Sequence, residues 1–256
     1  MTAPASRPFT AACVQLRAGR EVAASTEAAV ELVRAAAEAG AAFVATPENT
    51  SIMEAERALL FEKTRAEEDD LALKALAAAA REKKIWLLIG SLPIKVAEGK
   101  LANRSLLVSP TGQIAARYDK IHMFDVDLAG GESYRESRNF EAGGDAVVAD
   151  LPWSRFGLSI CYDLRFPYLY RALAHAGARV LTVPSAFTRQ TGEAHWHVLL
   201  RARAIENGAF VIAPAQGGRH ENGRETFGHS LIVAPWGELT YAYFFDEKAR
   251  QFANDN

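Results

Sequence analysis

Cysteine is nearly missing from this chain: Cys13 and Cys161 are the two among 256 residues. Two thiols exclude a disulfide-stapled scaffold and a cysteine-rich zinc site, and they suit a reducing compartment, so the cytoplasm is the expected location. A surplus of either charge is missing too. Lys and Arg number 29 against 31 Asp and Glu, a formal net charge of −2, which offers no basic surface for nucleic acid or an anionic membrane. No apolar run approaches the ~18 residues of a membrane helix. The opening "MTAPASRPFTAACVQLR" lacks a basic start followed by a long apolar stretch, so no secretory leader is expected. What is abundant is apolar residue, 49% of the chain, enough to fill the core of one domain spanning 1–256.

That apolar content is periodic. "STEAAVELVRAAAEAG" reads as a helix capped by Ser25 and stopped by Gly40. "EEDDLALKALAAAAREKK" reads as a second, acidic at its start and basic at its end as the helix dipole prefers. "FPYLYRALAHAG" and "GEAHWHVLLRARAIENG" are a third and fourth. Between them lie "AAFVATP", "KIWLLIGS", "SLLVSP", "RVLTVP", "AFVIAP" and "SLIVAP", short continuous apolar runs typical of buried strands.

The two halves echo one another. "AGAAFVATPE" aligns with "AGARVLTVPS", "RSLLVSPTGQI" with "HSLIVAPWGEL", and "FTAACVQLR" with "FGLSICYDLR". Pro-Thr-Gly and Pro-Trp-Gly are turn signals, so each half is expected to end in a hairpin. Chance resemblance between α/β segments is the competing reading. A true duplication implies an α/β fold, a four-layer α-β-β-α sandwich of two pseudo-symmetric sheets, each with helices on one face and its other face buried against its twin.

Ligands of open α/β sheets bind beyond the carboxyl ends of strands. Three such ends carry chemically unusual residues: Glu48 in "AAFVATPENT", Lys120 in "AARYDKIHMF" and Cys161 in "FGLSICYDLRF". Singly, each has an ordinary explanation as a cap, a surface cation or a core thiol. Together they supply a base, a cation and a nucleophile. A helix N-terminus or the lysine would lower the thiol pKa, whereas a carboxylate would raise it and accept its proton during attack. Of the histidines, only His122 lies in these segments, and no spacing recommends a Cys-His pair.

"TPENT", "YDKIHMFDVD" and "GLSICYDLRFP", in that order, resemble the Glu, Lys and Cys motifs of the nitrilase superfamily, the carbon–nitrogen hydrolases. The resemblance runs from about Phe9 to Glu238. "PSAF", "AHW", "LLRARAIE", "AQGGRH" and "GHS" are most like its amidase branch, which includes deaminated-glutathione amidase and omega-amidase. It implies the same α-β-β-α sandwich, no cofactor, no metal, a small-molecule amide substrate and a homodimer or higher homo-oligomer. It also implies a cysteine-dependent cleavage of a carboxamide to acid and ammonia through a thioester. Glu48 would be the base, Cys161 the nucleophile, and Lys120 with the Tyr162 backbone N–H the oxyanion donors. Glu136 in "YRES" would be the second catalytic glutamate, positioning Lys120 and substrate.

Substrate contacts implied by the same resemblance are Tyr162, Arg165, Ser185, Phe187, His195 and Trp196. Arg165 either holds a substrate carboxylate or closes a structural salt bridge, and His195 and Trp196 either pack beside the pocket or line it. Asp119 and His122 are expected to shape the lysine's loop. "HWH" is no metal motif, because residues two apart on a helix project to different faces. Two departures stand out. His197 occupies a position where many relatives have Glu, and the chain ends as "LTYAYFFDEKARQFANDN", atypical from about residue 244 and without an arginine-containing arm. The first leaves the substrate choice open, and the second leaves open the last strand's pairing and the usual dimer contacts. Omega-amidase, N-carbamoyl amino acid amidase, nitrilase and a catalytically silent scaffold of the same fold remain alternatives.

Overall fold

The computed structural model describes residues 8–128 and 131–240, and the backbone of Tyr243–Phe245. The first half runs β1 (Ala11–Gln15), α1 (Val22–Glu38), β2 (Phe43–Ala45), α2 (Arg57–Lys63), α3 (Leu71–Lys83), β3 (Trp86–Ala97), β4 (Lys100–Val108) and β5 (Ile114–Asp119). A small hairpin of β6 (Asp125–Asp127) and β7 (Ser133–Arg135), followed by β8 (Phe140–Glu141), bridges the halves. The second half runs β9 (Val148–Asp150), β10 (Arg155–Leu158), α4 (Pro167–His175), β11 (Val180–Thr182), α5 (Arg189–Asn207) and β12 (Phe210–Ala213). It continues through a hairpin of β13 (Gly217–Arg219) and β14 (Glu225–Phe227) to β15 (Leu231–Val233), β16 (Leu239–Thr240) and finally β17 (Tyr243–Phe245).

Two sheets result, ordered β17-β1-β2-β3-β4-β5 and β16-β15-β12-β11-β10-β9. In both, three parallel strands, β1-β2-β3 or β10-β11-β12, are followed by an antiparallel hairpin pair. Side-chain alternation builds the layers. Ala12, Val14, Val44, Leu87 and Ile89 pack against Val33 of α1 and Leu76 of α3, all fully or almost fully buried. Their neighbours Cys13, Phe43, Ala45 and Leu88 face the other way and join Phe156, Leu158 and Leu181 of the second sheet. The rings of Phe43 and Phe156 meet 4.9 Å apart across this seam. The expected four layers and the expected duplication of architecture are both present.

Local signals explain most boundaries. Asp70 caps α3 by accepting the Leu73 N–H at 2.7 Å, and α5 ends on Gly208 in the left-handed conformation. Gly40 and Gly177 take nearly the same positive φ, 95° and 91°, at twin positions after α1 and α4. The Ser25 cap is corrected. The helix α1 begins at Val22, and the Ser25 hydroxyl, inside its first turns, instead accepts the Gly19 N–H at 3.0 Å. The echo of the two cysteines is also corrected. Ala11 lies beside Phe43 and Phe156 beside Val180, and Phe43 and Val180 are twins, so Cys13 corresponds to Leu158 and not to Cys161. β17 pairs in parallel with β1, which settles the last strand's place; the atypical ending beyond Phe245 lies outside the described residues.

Candidate active site

Each of the three strand ends delivers its residue to the same place. After β2, the chain turns at Pro47–Thr50, and a register shift in β3 holds that turn. Gly90 and Ser91, at the shift, bond Thr46 Oγ1 and the Pro47 carbonyl, and Ser91 Oγ accepts the Asn49 N–H. Gly is required at position 90, because a Cβ there would sit 1.9 Å from the Thr46 carbonyl oxygen. Glu48 is thereby pushed inward and is 4% exposed. Lys120 follows β5, its N–H extending the sheet ladder onto the Asn103 carbonyl at 3.0 Å. Its side chain is as buried as a core leucine.

Cys161 follows β10 and begins a short 3₁₀ turn, Cys161–Arg165, rather than an α-helix; α4 starts only at Pro167. Its φ is +49°, a left-handed conformation that costs a non-glycine residue about 1–2 kcal/mol. Two bonds enforce it: the Cys161 N–H donates to the Pro184 carbonyl at 3.0 Å, and Asp163 Oδ2 accepts the Ile160 N–H at 2.8 Å. The N–H of Tyr162, next in the turn, has no acceptor among the described residues.

The polar cluster is dense. Lys120 Nζ donates to Glu48 Oε1 at 2.9 Å and to both oxygens of Glu136, at 3.0 and 2.8 Å. Asn103 Nδ2 bridges the same two carboxylates at 2.9 and 3.0 Å. Glu48 Oε2 accepts the Ala186 N–H at 2.9 Å, and the Cys161 thiol is the carboxylate's neighbour. Glu136, at the end of β7, is fixed by the Phe124 N–H at 2.7 Å.

These contacts set the charges. Burial pulls the Glu48 pKa upward, but the Lys120 ammonium, the neighbouring Cys161 thiol and the hydrogen bond from Lys120 outweigh it, and the net shift is downward. Burial opposes the Lys120 charge, yet Glu136 and Glu48 hold it firmly protonated. Burial, with the adjacent Glu48 charge, raises the Cys161 thiol well above the ordinary thiol value despite Lys120. The resting cluster is therefore carboxylate, ammonium and neutral thiol, which is the base-assisted arrangement and not a preformed thiolate.

A cavity of about 790 Å³ opens onto this cluster, and Glu48, Lys120, Cys161, Tyr162, Arg165 and Phe187 are among the residues that line it. Of the expected substrate contacts, Ser185, His195 and Trp196 are not on its wall. Ser185 is fully buried with its hydroxyl on the Val183 carbonyl, because its strand end continues into a bridge with Ala215. Trp196 packs behind Phe187 and donates its indole N–H to the His229 carbonyl at 2.9 Å. His195 lies on the exposed side of α5, where Nδ1 is 3.3 Å from Arg165 Nη2. Arg165 forms no salt bridge among the described residues; its guanidinium sits over the rings of Phe187 and Tyr162. His197 meets Phe227 and His229 instead, so the two histidines of "HWH" have different neighbours. Asp119 pairs with Arg104, and His122 bonds Asp163 and stacks on Phe166, so both shape loops.

Sequence reasoning missed Asn103, the amide between the two glutamates, because "LANRS" looks like any strand. It also missed Asp163. That fully buried carboxylate accepts the Tyr118 hydroxyl, the Ile160 N–H and both the N–H and Nδ1 of His122, tying the cysteine's turn to the lysine's loop. Its place two residues after the cysteine was the available signal.

Comparison with known proteins accords with this geometry. The carbon-nitrogen hydrolase family model matches residues 10–249. A deaminated glutathione amidase of Synechocystis sp. (strain PCC 6803) is 42% identical over 237 residues, 91% of this chain and 86% of that protein. One from Yersinia enterocolitica is 43% identical over 203 residues, 78% and 71% of the two chains. Among solved structures, the C. elegans NitFhit protein superposes with a TM-score of 0.83 at 33% identity, over 93% of this chain and 59% of that longer one. Saccharomyces cerevisiae Nit3, a nitrilase-superfamily member, gives 0.81 at 26% identity over 92% and 87%. The class follows first: this is an amidohydrolase, an enzyme that opens carbon–nitrogen bonds with water. More narrowly, the chain belongs to the carbon–nitrogen hydrolase family, within the nitrilase superfamily.

Proposed function

We propose that this amidohydrolase cleaves small carboxylate-bearing amides of the deaminated-glutathione class through a thioester on Cys161. The observation that carries the reading is the meeting of Cys161, Glu48 and Lys120 at one cavity whose wall also presents Arg165, a cation with no carboxylate partner among the described residues. An anionic group on the substrate would complete that cation.

Glu48 takes the thiol proton as sulfur attacks the carbonyl carbon. The carbonyl electron pair moves to oxygen, where Lys120 Nζ and the Tyr162 N–H receive it; one such donor is typically worth roughly 3–4 kcal/mol. As the tetrahedral centre collapses, the nitrogen leaves with the proton that Glu48 held. Glu48 then takes a proton from water, hydroxide opens the thioester, and the departing sulfur regains that proton. Glu136 and Asn103 touch Glu48 or Lys120 but not the reacting atoms, so they act as positioning residues. A primary amide releases ammonia. The amides of glutathione are secondary, so a deaminated glutathione releases a peptide amine, which an ammonia assay does not see.

The test is mass-spectrometric detection of new acid and amine from deaminated glutathione, α-ketoglutaramate, N-carbamoyl amino acids and nitriles, with intact-protein mass for the acyl adduct. Cys161→Ala is expected to lower kcat by on the order of 10⁴-fold or more. Turnover that survives it rules out the mechanism. Turnover of α-ketoglutaramate alone moves the substrate to the omega-amidase type, N-carbamoyl turnover to the carbamoylase type, and no turnover with no adduct marks a silent scaffold.

A cytoplasmic site of action fits two unpaired thiols. Self-association is supported by an exposed apolar stripe: Val198 and Ile205, two turns apart on α5, beside the exposed Trp236. Light scattering of the purified protein decides between monomer and homo-oligomer.

A further inference from the structure

Four arginines line the cavity: Arg135, Arg165, Arg189 and Arg224. Two are neutralised, Arg135 by Asp127 at 2.8 Å and Arg189 by Glu193 at 2.8 Å and Glu225 at 3.7 Å. Arg165 and Arg224 have no carboxylate within salt-bridge distance among the described residues. They come from different elements. Arg165 closes the turn that begins at Cys161, and Arg224 sits in the β13–β14 hairpin of the second half.

Arg224 is held in place. Nη2 donates to the Ala186 carbonyl, the guanidinium lies 5.1 Å over the ring of Tyr134, and Nε is buried with no acceptor. Between the two cations runs an aromatic row. Tyr134 meets Phe124 at 5.1 Å, Phe124 meets Tyr162 at 5.1 Å, and Arg165 covers Tyr162 at 5.8 Å. A half-buried guanidinium, oriented by a backbone carbonyl and an aromatic face, near the Glu48 charge but with no carboxylate in salt-bridge contact, is preorganised for a carboxylate.

We propose that Arg224 is a specificity-determining residue that receives a second substrate carboxylate, so that the cavity selects amides anionic at both ends. This rests on the proposed function and deepens it: the substrate is a dianionic amide, one carboxylate on Arg165, the other on Arg224, with the aromatic row along its middle. A monoanionic amide would leave Arg224 unmatched and gain nothing from it. The competing role is structural. Arg224 bonds Ala186, whose N–H holds Glu48, so its loss could disturb the base instead.

Calorimetric titration separates the two roles. Deaminated glutathione, with two carboxylates, and α-ketoglutaramate, with one, are titrated into Cys161→Ala and into Cys161→Ala/Arg224→Gln; steady-state kinetics follow for Arg224→Gln and Arg224→Lys in the active enzyme. Loss of the ion pair is expected to weaken the dianion by about tenfold or more while the monoanion changes by less than about twofold, with KM rising and kcat nearly kept. Arg224→Lys is expected to recover part of the affinity through its charge. Equal weakening of both ligands, a fall in kcat for both, or no effect on the dianion overturns the proposal. If the wild-type enzyme leaves deaminated glutathione intact, the substrate assignment falls, while the binding ratio still decides the role of Arg224.

Discussion

Cys161 sits in surroundings that hold its proton on. Loss of solvent and the neighbouring Glu48 carboxylate both raise the thiol, and one lysine does not cancel them. Glu48 is shifted the other way, below the ordinary carboxylate range, because Lys120 and the thiol favour its charge. Activity is therefore expected to be flat through neutral pH. It falls on the acid side only as Glu48 takes up a proton, below about 4.3, the unperturbed glutamate value. A kcat/KM profile with an acid limb near pH 6–7 would falsify this pairing. Stability has the same signs. The depressed Glu48 contributes above its unfolded pKa of about 4.3 and loses that contribution as pH falls through its folded value. The raised Lys120 contributes below about 10.4 and loses it as pH rises through its folded value. The raised Cys161 thiol begins to lose its contribution above about 8.5, and His220, held down to about 4 by burial, begins to lose its own below about 6.5, so thermal unfolding should show its plateau between about 6.5 and 8.5. At this scale Glu48, Lys120 and Cys161 were legible, because each stands at a strand end within a motif of the family. Asn103 was not, since its role comes from facing Glu48 and Glu136 across distances the chain does not display.

The turns carry as much of the design as the sheets. The cysteine's turn is held by Asp163, which while fully buried serves four donors: Tyr118 of β5, two from His122 in the loop after it, and the Ile160 N–H at the turn's own start. Asp163→Ala strands those donors and is expected to cost about 3–5 kcal/mol, or a Tm fall of roughly 10 °C for a domain of this size. Scanning calorimetry measures it, and a shift under 2 °C would contradict the assignment, as estimated from about 2–4 °C per kcal/mol. Periodicity displayed the long elements well: all six apolar runs became strands and all four foreseen helices formed. The short pieces escaped it. The helix α2, of seven residues, and the two small hairpins β6–β7 and β13–β14, with strands of three, are too short to display a period. Yet β7 leads directly into Glu136, and the β13–β14 turn brings in Arg224. Ser25 misled because its hydroxyl had a tertiary partner, Gly19, that outcompeted a cap.

At the scale of the molecule, the halves share one interior. Cys13, Phe43, Ala45 and Leu88 of one sheet and Phe156, Leu158 and Leu181 of the other belong to the same buried cluster. Separating the halves would expose both inner faces, so residues 8–146 and 147–245 produced alone are expected to remain unfolded, and the intact chain to melt in one cooperative transition. Circular dichroism of the separate pieces checks this; native-like helix content in either would contradict it. The doubled architecture was visible in the repeated Gly and Pro signals, but the alignment of the cysteines was a coincidence that only strand register exposes. That register has a further meaning. By the same correspondence Glu48 is the twin of Ser185 and Cys161 the twin of Leu16, both interred and chemically idle. A perfectly mirrored molecule would hold two equivalent centres. This one has kept the acid from one side and the sulfur from the other, so its two related modules have become complementary, and neither retains the means to act without its sibling.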